Sequence, residues 1–348
     1  MREGPGSRIG SRGVLLAMAG IAAIAVVALA IAVLRPAPGA PVATSQASAT
    51  TAATGGPGSP APTSSGSAAA PASPSPATAT PAPRPVTLVG AGDIADCNSN
   101  IDSQTAELVA AIPGTVFTLG DNAYEDGELS EFNDCYDPTW GRFKGRTRPA
   151  PGNHDYHTAG AAGYFSYFGD CAGPAGRGYY AYDRGAWRVY SLNSMCGEIG
   201  GCGAGSAQLA WLSADMAANP SRCALAYWHH PRYSSGEHGN IDSMDVIWDT
   251  LFDAGVELVL AGHDHSYERF APMDAAGNLA QERGITSFVV GTGGREFYEF
   301  DEILPTSRAR VSGVAGVIEL TLLPGSWSSR FVPVPGSGFT DEAQDVCH

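Results

Sequence analysis

Five short clusters of Asp, Asn and His constrain the fold of this 348-residue chain, because each of them follows an apolar run. The clusters occupy residues 92–96, 120–124, 152–155, 228–231 and 262–265. Short apolar runs bounded by Gly, Asp or Asn are typical of buried strands. The carboxyl ends of strands in an open α/β sheet converge on one crevice. We therefore expect five loops, far apart in sequence, to build one site.

The segments between the clusters favour a mainly α/β domain. Strands are predicted at 86–90, 116–120, 188–192, 223–228 and 257–261. Helices are predicted at 105–112, 206–218 and 244–254, where apolar residues recur at three- and four-residue spacing. Three later strands, at 286–291, 317–323 and 330–334, have no helices between them, so we expect the sheet to end in antiparallel pairs.

The first 84 residues differ in kind from the rest. Residues 14–34 form an uncharged apolar run of 21 residues that follows Arg2, Arg8 and Arg12. Such a run can cross a membrane, so residues 1–35 are predicted to be a transmembrane anchor, with a cleaved signal segment as the alternative. Residues 36–84 are rich in Pro, Ala, Ser and Thr and are predicted to be a disordered linker. The folded domain is then 85–348.

The charge of this domain argues against nucleic acid as a partner. Only Glu3 and five arginines precede Pro85, which leaves 34 acidic and 15 basic residues after it, a net charge of −19 with His neutral. Proteins bind nucleic acid by neutralising phosphates with Lys and Arg. We therefore expect no nucleic-acid partner, and contact with a membrane through the N-terminal segment only.

All seven cysteines fall in the predicted exported domain, where an oxidising compartment permits disulfides. Cys196 and Cys202 bracket a glycine-rich loop and are predicted to pair. Connectivity does not follow from sequence, and one cysteine of the seven has to remain without an intramolecular partner.

The clusters combine carboxylate, imidazole, amide oxygen and phenolate donors. This set suits Fe, Mn or Zn and differs from the all-oxygen cage of a calcium site. A single Gly-Asp or Gly-Asn pair is usually only a turn, and a single His is usually a core residue. Seven candidate ligands are more than one closed zinc site uses, so we expect two ions bridged by one carboxylate, that of Asp121.

The order of the clusters resembles that of the calcineurin-like metallophosphoesterases: GD, GD, GNH with an acid, a His near Pro, and GHxH. All five motifs are present between Asp93 and His265. Most members of that superfamily carry a His two residues after the first Asp, and here that position is Ala95.

Within the superfamily, the sequence is most similar to the purple acid phosphatases. That family also lacks the His and coordinates iron through a Tyr three residues after the second Asp, the spacing of Asp121 and Tyr124. The stretch GHDHSYER at 262–269 is similar to its last motif. One departure is the first motif, which reads GDIA where the family usually has GDxG.

The resemblance implies a ligand set and a fold. Ligands of the first metal would be Asp93, Asp121, Tyr124 and His265; ligands of the second would be Asp121, Asn153, His229 and His263. The first ion would be Fe, and the second Zn, Mn or Fe. The implied fold is a four-layer α/β/β/α sandwich with two mixed β-sheets and the dinuclear metal site at strand ends, and the tail after Pro324 is expected to cover it.

The resemblance also implies roles outside the ligand set. His154 and His238 would be the catalytic residues that hold phosphate or protonate the leaving oxygen, while for His238 an exposed position without a role is an open alternative. Arg232 and Arg269 are weaker candidates for phosphate binding or for the scaffold.

The function implied is hydrolysis of phosphate monoesters by a water molecule that the metals activate, outside the cytoplasm. The protein would be anchored at the cell surface or secreted. The alternative is a phosphodiesterase or nucleotidase that uses the same two metals. A tethered binding module without catalysis would show broken ligand motifs, and this chain keeps all seven core ligands.

Overall fold

The computed structural model describes residues 84–348. The predicted anchor or signal segment and, apart from Arg84, the predicted linker lie outside these residues. Between residues 84 and 348, no helix has the length and apolar character needed to span a membrane.

Short strands dominate the described residues. The strands are β1 (Val86–Ala91), β2 (Ala95–Asp96), β3 (Thr115–Leu119), β4 (Ala123–Tyr124), β5 (Thr147–Ala150), β6 (Tyr180–Arg184), β7 (Trp187–Ser191), β8 (Cys223–Tyr227), β9 (Leu258–Ala261), β10 (Tyr267–Phe270), β11 (Thr286–Val290), β12 (Ser307–Val311), β13 (Gly316–Leu323), β14 (Ser326–Pro333) and β15 (Asp341–Val346).

Helices connect the strands of the first two thirds of the domain. The α-helices are α1 (Ile101–Ala111), α2 (Leu129–Glu131), α3 (Ala162–Phe168), α4 (Ala207–Ala218) and α5 (Asp245–Asp253). Helix α4 begins where predicted, because the Ser206 hydroxyl accepts the Leu209 N–H at 3.2 Å and so satisfies a free backbone donor of the first turn. Short 3₁₀ or π turns occupy Phe132–Tyr136, Trp140–Arg146, His154–Tyr156, Ala159–Ala161, Gly169–Ala172 and Asp242–Met244.

The strands form two mixed sheets and one small ribbon. The first sheet has the order β15-β14-β13-β1-β3-β5, and its last three strands are parallel. The second sheet has the order β12-β10-β11-β9-β8-β7-β6, with β7, β8, β9 and β11 parallel. Strands β2 and β4 pair with each other.

The two sheets pack face to face between helical layers. Alternate side chains of a strand point to opposite faces, so β8 contributes side chains to two hydrophobic cores, one on each face of the second sheet. Tyr227 packs against Phe117 of the first sheet with ring centroids 5.4 Å apart, whereas Ala226 lies in the cluster that contains Trp248 of α5. Helix α1 contacts β13 on the first sheet. These layers confirm the predicted α/β/β/α sandwich.

Disulfides join Cys97 to Cys135, Cys196 to Cys202 and Cys223 to Cys347. The predicted pair, Cys196 and Cys202, is confirmed. Cys171 is the one cysteine of the described domain outside a disulfide.

The tail after Pro324 differs from the expectation. It does not lie over the sandwich as a cover but adds β14 and β15 to the edge of the first sheet. Phe331 is buried there, against Tyr267 of the second sheet at 4.3 Å between ring centroids. The tail therefore contributes to the core between the sheets.

Candidate metal centre

Backbone hydrogen bonds hold the five loops together at the carboxyl ends of the strands. The Asp93 N–H donates to the Gly120 carbonyl at 3.1 Å, and the Ile94 N–H donates to the Asp121 carbonyl at 3.0 Å. The Gly92 N–H donates to the Val290 carbonyl of the second sheet at 2.8 Å. Loops from both sheets are thus fixed at one edge, as the parallel strand order predicts.

Three of the predicted ligands have a left-handed backbone conformation. Asp93, Asp121 and His263 have φ angles of 60°, 48° and 72°, and Ala161 is the one other non-glycine residue of the described chain with positive φ. Each such residue costs on the order of 1–3 kcal/mol and persists only where the surroundings impose it. Backbone strain is therefore concentrated at the site.

Two motif glycines are required by close packing. A Cβ on Gly120, whose φ is +86°, would lie 2.6 Å from the His229 ring nitrogen Nδ1. A Cβ on Gly152 would lie 2.1 Å from Asp121 Oδ1. No side chain fits at either position, so these glycines let the loops approach the predicted ligands.

The first group of donor atoms surrounds the Tyr124 hydroxyl. This oxygen lies 3.0 Å from Asp93 Oδ1, 3.2 Å from Asp121 Oδ2 and 3.3 Å from His265 Nε2. His265 Nδ1 donates to the Glu296 carbonyl at 2.6 Å, which turns Nε2 toward the group. Tyr124 is buried, and burial, together with the Asp121 and Asp93 charges, raises its pKa well above 10.

The second group surrounds His229 Nε2. This atom lies 2.9 Å from Asn153 Oδ1, 3.2 Å from His263 Nδ1 and 3.2 Å from Asp121 Oδ2. His229 Nδ1 donates to the Leu119 carbonyl at 2.8 Å, so the other ring nitrogen faces the group. Burial works to lower the pKa of His229, but the Asp121 charge outweighs it and raises the pKa to about 9. The carboxylate, amide and imidazole donors of this group suit a metal cation.

Asp121 connects the two groups. Its Oδ2 lies 3.2 Å from both Tyr124 Oη and His229 Nε2, and its Oδ1 accepts the His154 N–H at 2.9 Å. One atom each of Asp93, Asp121 and His229 lies within 4.8 Å of the others. Buried acceptor atoms outnumber the protons available to them in both groups, so the donor set fits two metal ions that share the Asp121 carboxylate.

The two predicted catalytic histidines lie at opposite ends of the donor set. His154 Nδ1 lies 2.6 Å from the Glu125 carbonyl, and its ring centroid is 4.5 Å from that of Tyr124. His238 Nδ1 lies 2.9 Å from Asp264 Oδ1, and its ring centroid is 4.2 Å from that of His263. His238 is therefore part of the site. The hydrogen bond to Asp264 raises the pKa of His238.

The two arginines proposed from sequence belong to the scaffold. Arg232 forms ion pairs with Asp242 and Asp245, and Arg269 donates to both oxygens of Asp341 at 2.7 and 2.9 Å. Neither arginine contacts a predicted metal ligand, so phosphate binding by Arg232 or Arg269 gains no support.

Arg295 and Tyr298 also lie at the site, although neither residue belongs to a sequence motif. The Arg295 guanidinium carbon lies 4.7 Å from the centre of the Tyr124 ring, and its Nη2 is 2.8 Å from Glu125 Oε2. Tyr298 stacks on His265 with centroids 4.0 Å apart. Both residues follow the glycine pair Gly293–Gly294 after β11. This glycine-rich strand end is the sequence feature from which a further loop at the site could have been predicted.

His230 adds a third imidazole to the second group. One ring nitrogen of His230 lies within 4.8 Å of ring nitrogens of His229 and His263. Its Nδ1 instead pairs with the Ser194 hydroxyl at 2.9 Å. His229, which contacts Asn153 and Asp121, is therefore the better placed ligand.

The family model of the calcineurin-like phosphoesterases matches residues 78–267 of this chain. Two uncharacterised proteins of Mycobacterium tuberculosis, from strain CDC 1551 / Oshkosh and strain ATCC 25618 / H37Rv, are each 29% identical to it. The matches cover 56% of this chain and 44% of each relative, so the chain spans less than half of the length of these relatives.

Three solved structures have a similar fold. Purple acid phosphatase PPD1 from yellow lupin seeds has a TM-score of 0.59 and 18% identity, and the match covers 75% of this chain and 54% of that one. GAP50, described as the anchor in the inner membrane complex of Plasmodium, has a TM-score of 0.57 and 15% identity over 74% and 88% of the two chains. PhoD has a TM-score of 0.52 and 12% identity over 77% and 70%. At sequence identities this low, the comparison shows a shared fold and nothing about function.

Proposed function

The chain belongs to the calcineurin-like phosphoesterase family, and from this premise we propose that it hydrolyses phosphate monoesters with two metal ions, outside the cytoplasm. One observation carries the proposal: two groups of buried donor atoms share the Asp121 carboxylate. Two ions held in this way suit displacement at phosphorus, because they neutralise charge on both the entering and the leaving oxygen.

The donor groups are consistent with a role for each ligand. Asp93, Asp121, Tyr124 and His265 would hold the first ion, and Asp121, Asn153, His229 and His263 would hold the second. The phenol and two carboxylates of the first group suit iron, and the imidazoles of the second suit zinc, manganese or iron. When bound, the ions supply Lewis acidity and make a water molecule acidic enough to attack phosphorus.

The remaining residues position the ester. The Nδ1 atoms of His154 and His238 are held by Glu125 and Asp264, which leaves each Nε2 for a phosphate or leaving-group oxygen. Arg295 is engaged by Asp96, Glu125 and Glu296, so it orients the loop around Tyr124 rather than neutralising phosphate. Charge compensation at the phosphate is left to the metals.

An extracytoplasmic location agrees with the cysteines. Three disulfides connect six cysteines of the domain, and disulfides persist in oxidising compartments. The uncharged run at 14–34 supplies an export segment, whether it remains as an anchor or is cleaved. We expect a protein displayed at the cell surface or secreted.

Relative rates on two esters test the reaction. We expect the metal-loaded protein to hydrolyse p-nitrophenyl phosphate at least about 10-fold faster than bis(p-nitrophenyl) phosphate, measured as kcat/KM. A faster diester reaction would favour the phosphodiesterase alternative. Tight binding of two metals without turnover of either ester would instead favour a binding role, of the kind that the description of GAP50 as an anchor implies for that protein.

Tyr124 allows a spectroscopic prediction. Its raised pKa means that the phenol stays protonated unless a strongly charged cation replaces the proton. We expect the iron-loaded protein to absorb visible light and Tyr124→Phe to lose that band. Tyr164→Phe is the matched control, since Tyr164 is also buried but its hydroxyl donates to the Pro149 carbonyl at 3.1 Å. A band that survives in Tyr124→Phe would remove Tyr124 from the ligand set.

A further inference from the structure

A cavity of about 400 Å³ opens beside the second donor group, and of the predicted ligands His263 alone lines it. Its walls come from the loop after β7 and from the segment before α5. Met195, Cys196, Gly197 and Ile241 are among the residues that line it. This volume accommodates a ring the size of phenyl or naphthyl.

The cavity is continuous with the metal centre. His263 and His230 line it, and their ring centroids are 4.4 Å apart. His263 Nδ1 is also 3.2 Å from His229 Nε2, inside the second donor group. A phosphate held by the metals therefore has this cavity next to it, within reach of the organic group of the same ester.

His230 provides a polar contact in this cavity. The Ser194 hydroxyl accepts the His230 backbone N–H at 3.0 Å and lies 2.9 Å from His230 Nδ1. Among the hydrogen bonds of the described residues, Nδ1 is the one acceptor for the Ser194 hydroxyl proton, and this arrangement favours the tautomer with the ring proton on Nε2. His230 thus offers an N–H donor for an ester oxygen.

The loop that forms one wall is held in place. The Cys196–Cys202 disulfide closes it, and the Gly201 N–H donates to the Cys196 carbonyl at 2.7 Å. Gln208 of α4 accepts the Asn193 N–H and donates to the Asn193 carbonyl, both at 2.8 Å. A wall fixed in this way loses little entropy when a ligand binds.

We propose that this cavity is the subsite for the organic group of the ester and that it selects an apolar, aryl-sized group. The inference rests on the proposed function, since the metals must hold the phosphate. Glu198 lines the cavity and has no ion-pair partner among the described residues, so an organic group with further phosphates is disfavoured.

Two phosphonates test the subsite by binding. Phenylphosphonate and methylphosphonate share the head group but differ in the group that would enter the cavity, and their P–C bonds are not esters. We expect the metal-loaded, full-length protein to bind phenylphosphonate about 10-fold more tightly, measured by calorimetry, because the ring is buried. Equal affinities would overturn the proposal.

A glycine pair supplies a variant and its matched control. Gly197 lines the cavity, and a Cβ there meets nothing within 4 Å, so Gly197→Leu adds an apolar side chain to this wall without a clash at its Cβ. Gly203 directly follows Cys202, which closes the disulfide loop; it is equally open to a Cβ and does not line the cavity. We expect Gly197→Leu to remove the preference for phenylphosphonate and to leave the affinity for methylphosphonate unchanged. We expect Gly203→Leu to keep both the preference and the affinity of the unsubstituted protein.

The outcomes separate this proposal from the proposed function. If Gly197→Leu still binds phenylphosphonate more tightly than methylphosphonate, the phenyl ring lies outside this cavity and the proposed subsite is wrong. A protein that binds phenylphosphonate selectively but hydrolyses no ester keeps the subsite and loses the phosphatase function. If neither phosphonate binds to the metal-loaded protein, both proposals fail.

Discussion

Asp121→Asn is expected to lower kcat/KM by at least about 10³-fold, which corresponds to about 4 kcal/mol of transition-state stabilisation. The carboxylate is shared between donor groups, with Oδ2 at 3.2 Å from both Tyr124 and His229. An amide of the same size keeps the shape of the side chain but removes the charge that attracts both ions. We expect metal analysis to show a loss of bound metal in parallel with the loss of activity.

A second buried acid provides the control for this substitution. Asp102 is 3% exposed, and its oxygens accept hydrogen bonds from Thr139 and Ser103, both neutral donors. Burial raises the pKa of Asp102, so ionisation of this carboxyl lowers stability, and the neutral Asp102→Asn is expected to retain metal and activity. If Asp121→Asn retained both metals and turnover, Asp121 would not be the bridge and the proposed centre would be wrong.

The parts of the site that were predictable depend on local sequence. Each of the strands predicted before the motifs at Asp93, Asp121, His229 and His263 is present within two residues of its expected ends. An apolar run followed by Gly and a polar residue is a signal within about ten residues, and the parallel order of such strands brings their ends together. Local patterns therefore sufficed to place these ligands at one edge.

The contributions of Arg295 and Tyr298 depend on sheet pairing instead. Strand β11 pairs with β9 in parallel, and this register brings the loop after β11 to the same edge as His263 and His265. The Tyr298 N–H then donates to the His265 carbonyl at 3.2 Å. No local pattern encodes which strand lies beside β9. The position of the loop after β11 at the metal centre therefore could not be predicted from sequence and is known only from the structure.

The tail after Pro324 illustrates the same limit. In β14, buried Trp327, Ser329 and Phe331 alternate with more exposed residues, which is typical of a sheet with one covered face. The sequence does not show which sheet edge these strands join. For this reason the expectation that the tail covers the sandwich was wrong. Likewise, the pairing of Cys223 with Cys347 spans 124 residues, whereas Cys196 and Cys202 are only 6 residues apart and were paired correctly.

Removal of the Cys223–Cys347 disulfide is expected to lower the free energy of unfolding by about 5 kcal/mol. In the chain-entropy description, a bridge stabilises by restricting the unfolded chain, and the effect grows with the length of the closed loop. Both cysteines are buried, at 1% and 3% exposure, so a double Ala variant introduces no buried polar group. Guanidinium unfolding followed by tryptophan fluorescence measures the loss.

The Cys196–Cys202 bridge supplies the matched control, because it closes a much shorter loop, with a sequence separation of 6 rather than 124. Its double Ala variant is expected to lose only about 2 kcal/mol by the same relation. The Cys347 backbone N–H donates to the Gly325 carbonyl at 2.9 Å, and this hydrogen bond does not depend on the disulfide. We therefore expect β15 to stay paired with β14 when the longer bridge is removed. Equal losses in the two variants would show that restriction of the unfolded chain is not the main effect, and that packing around Cys223 determines the stability instead.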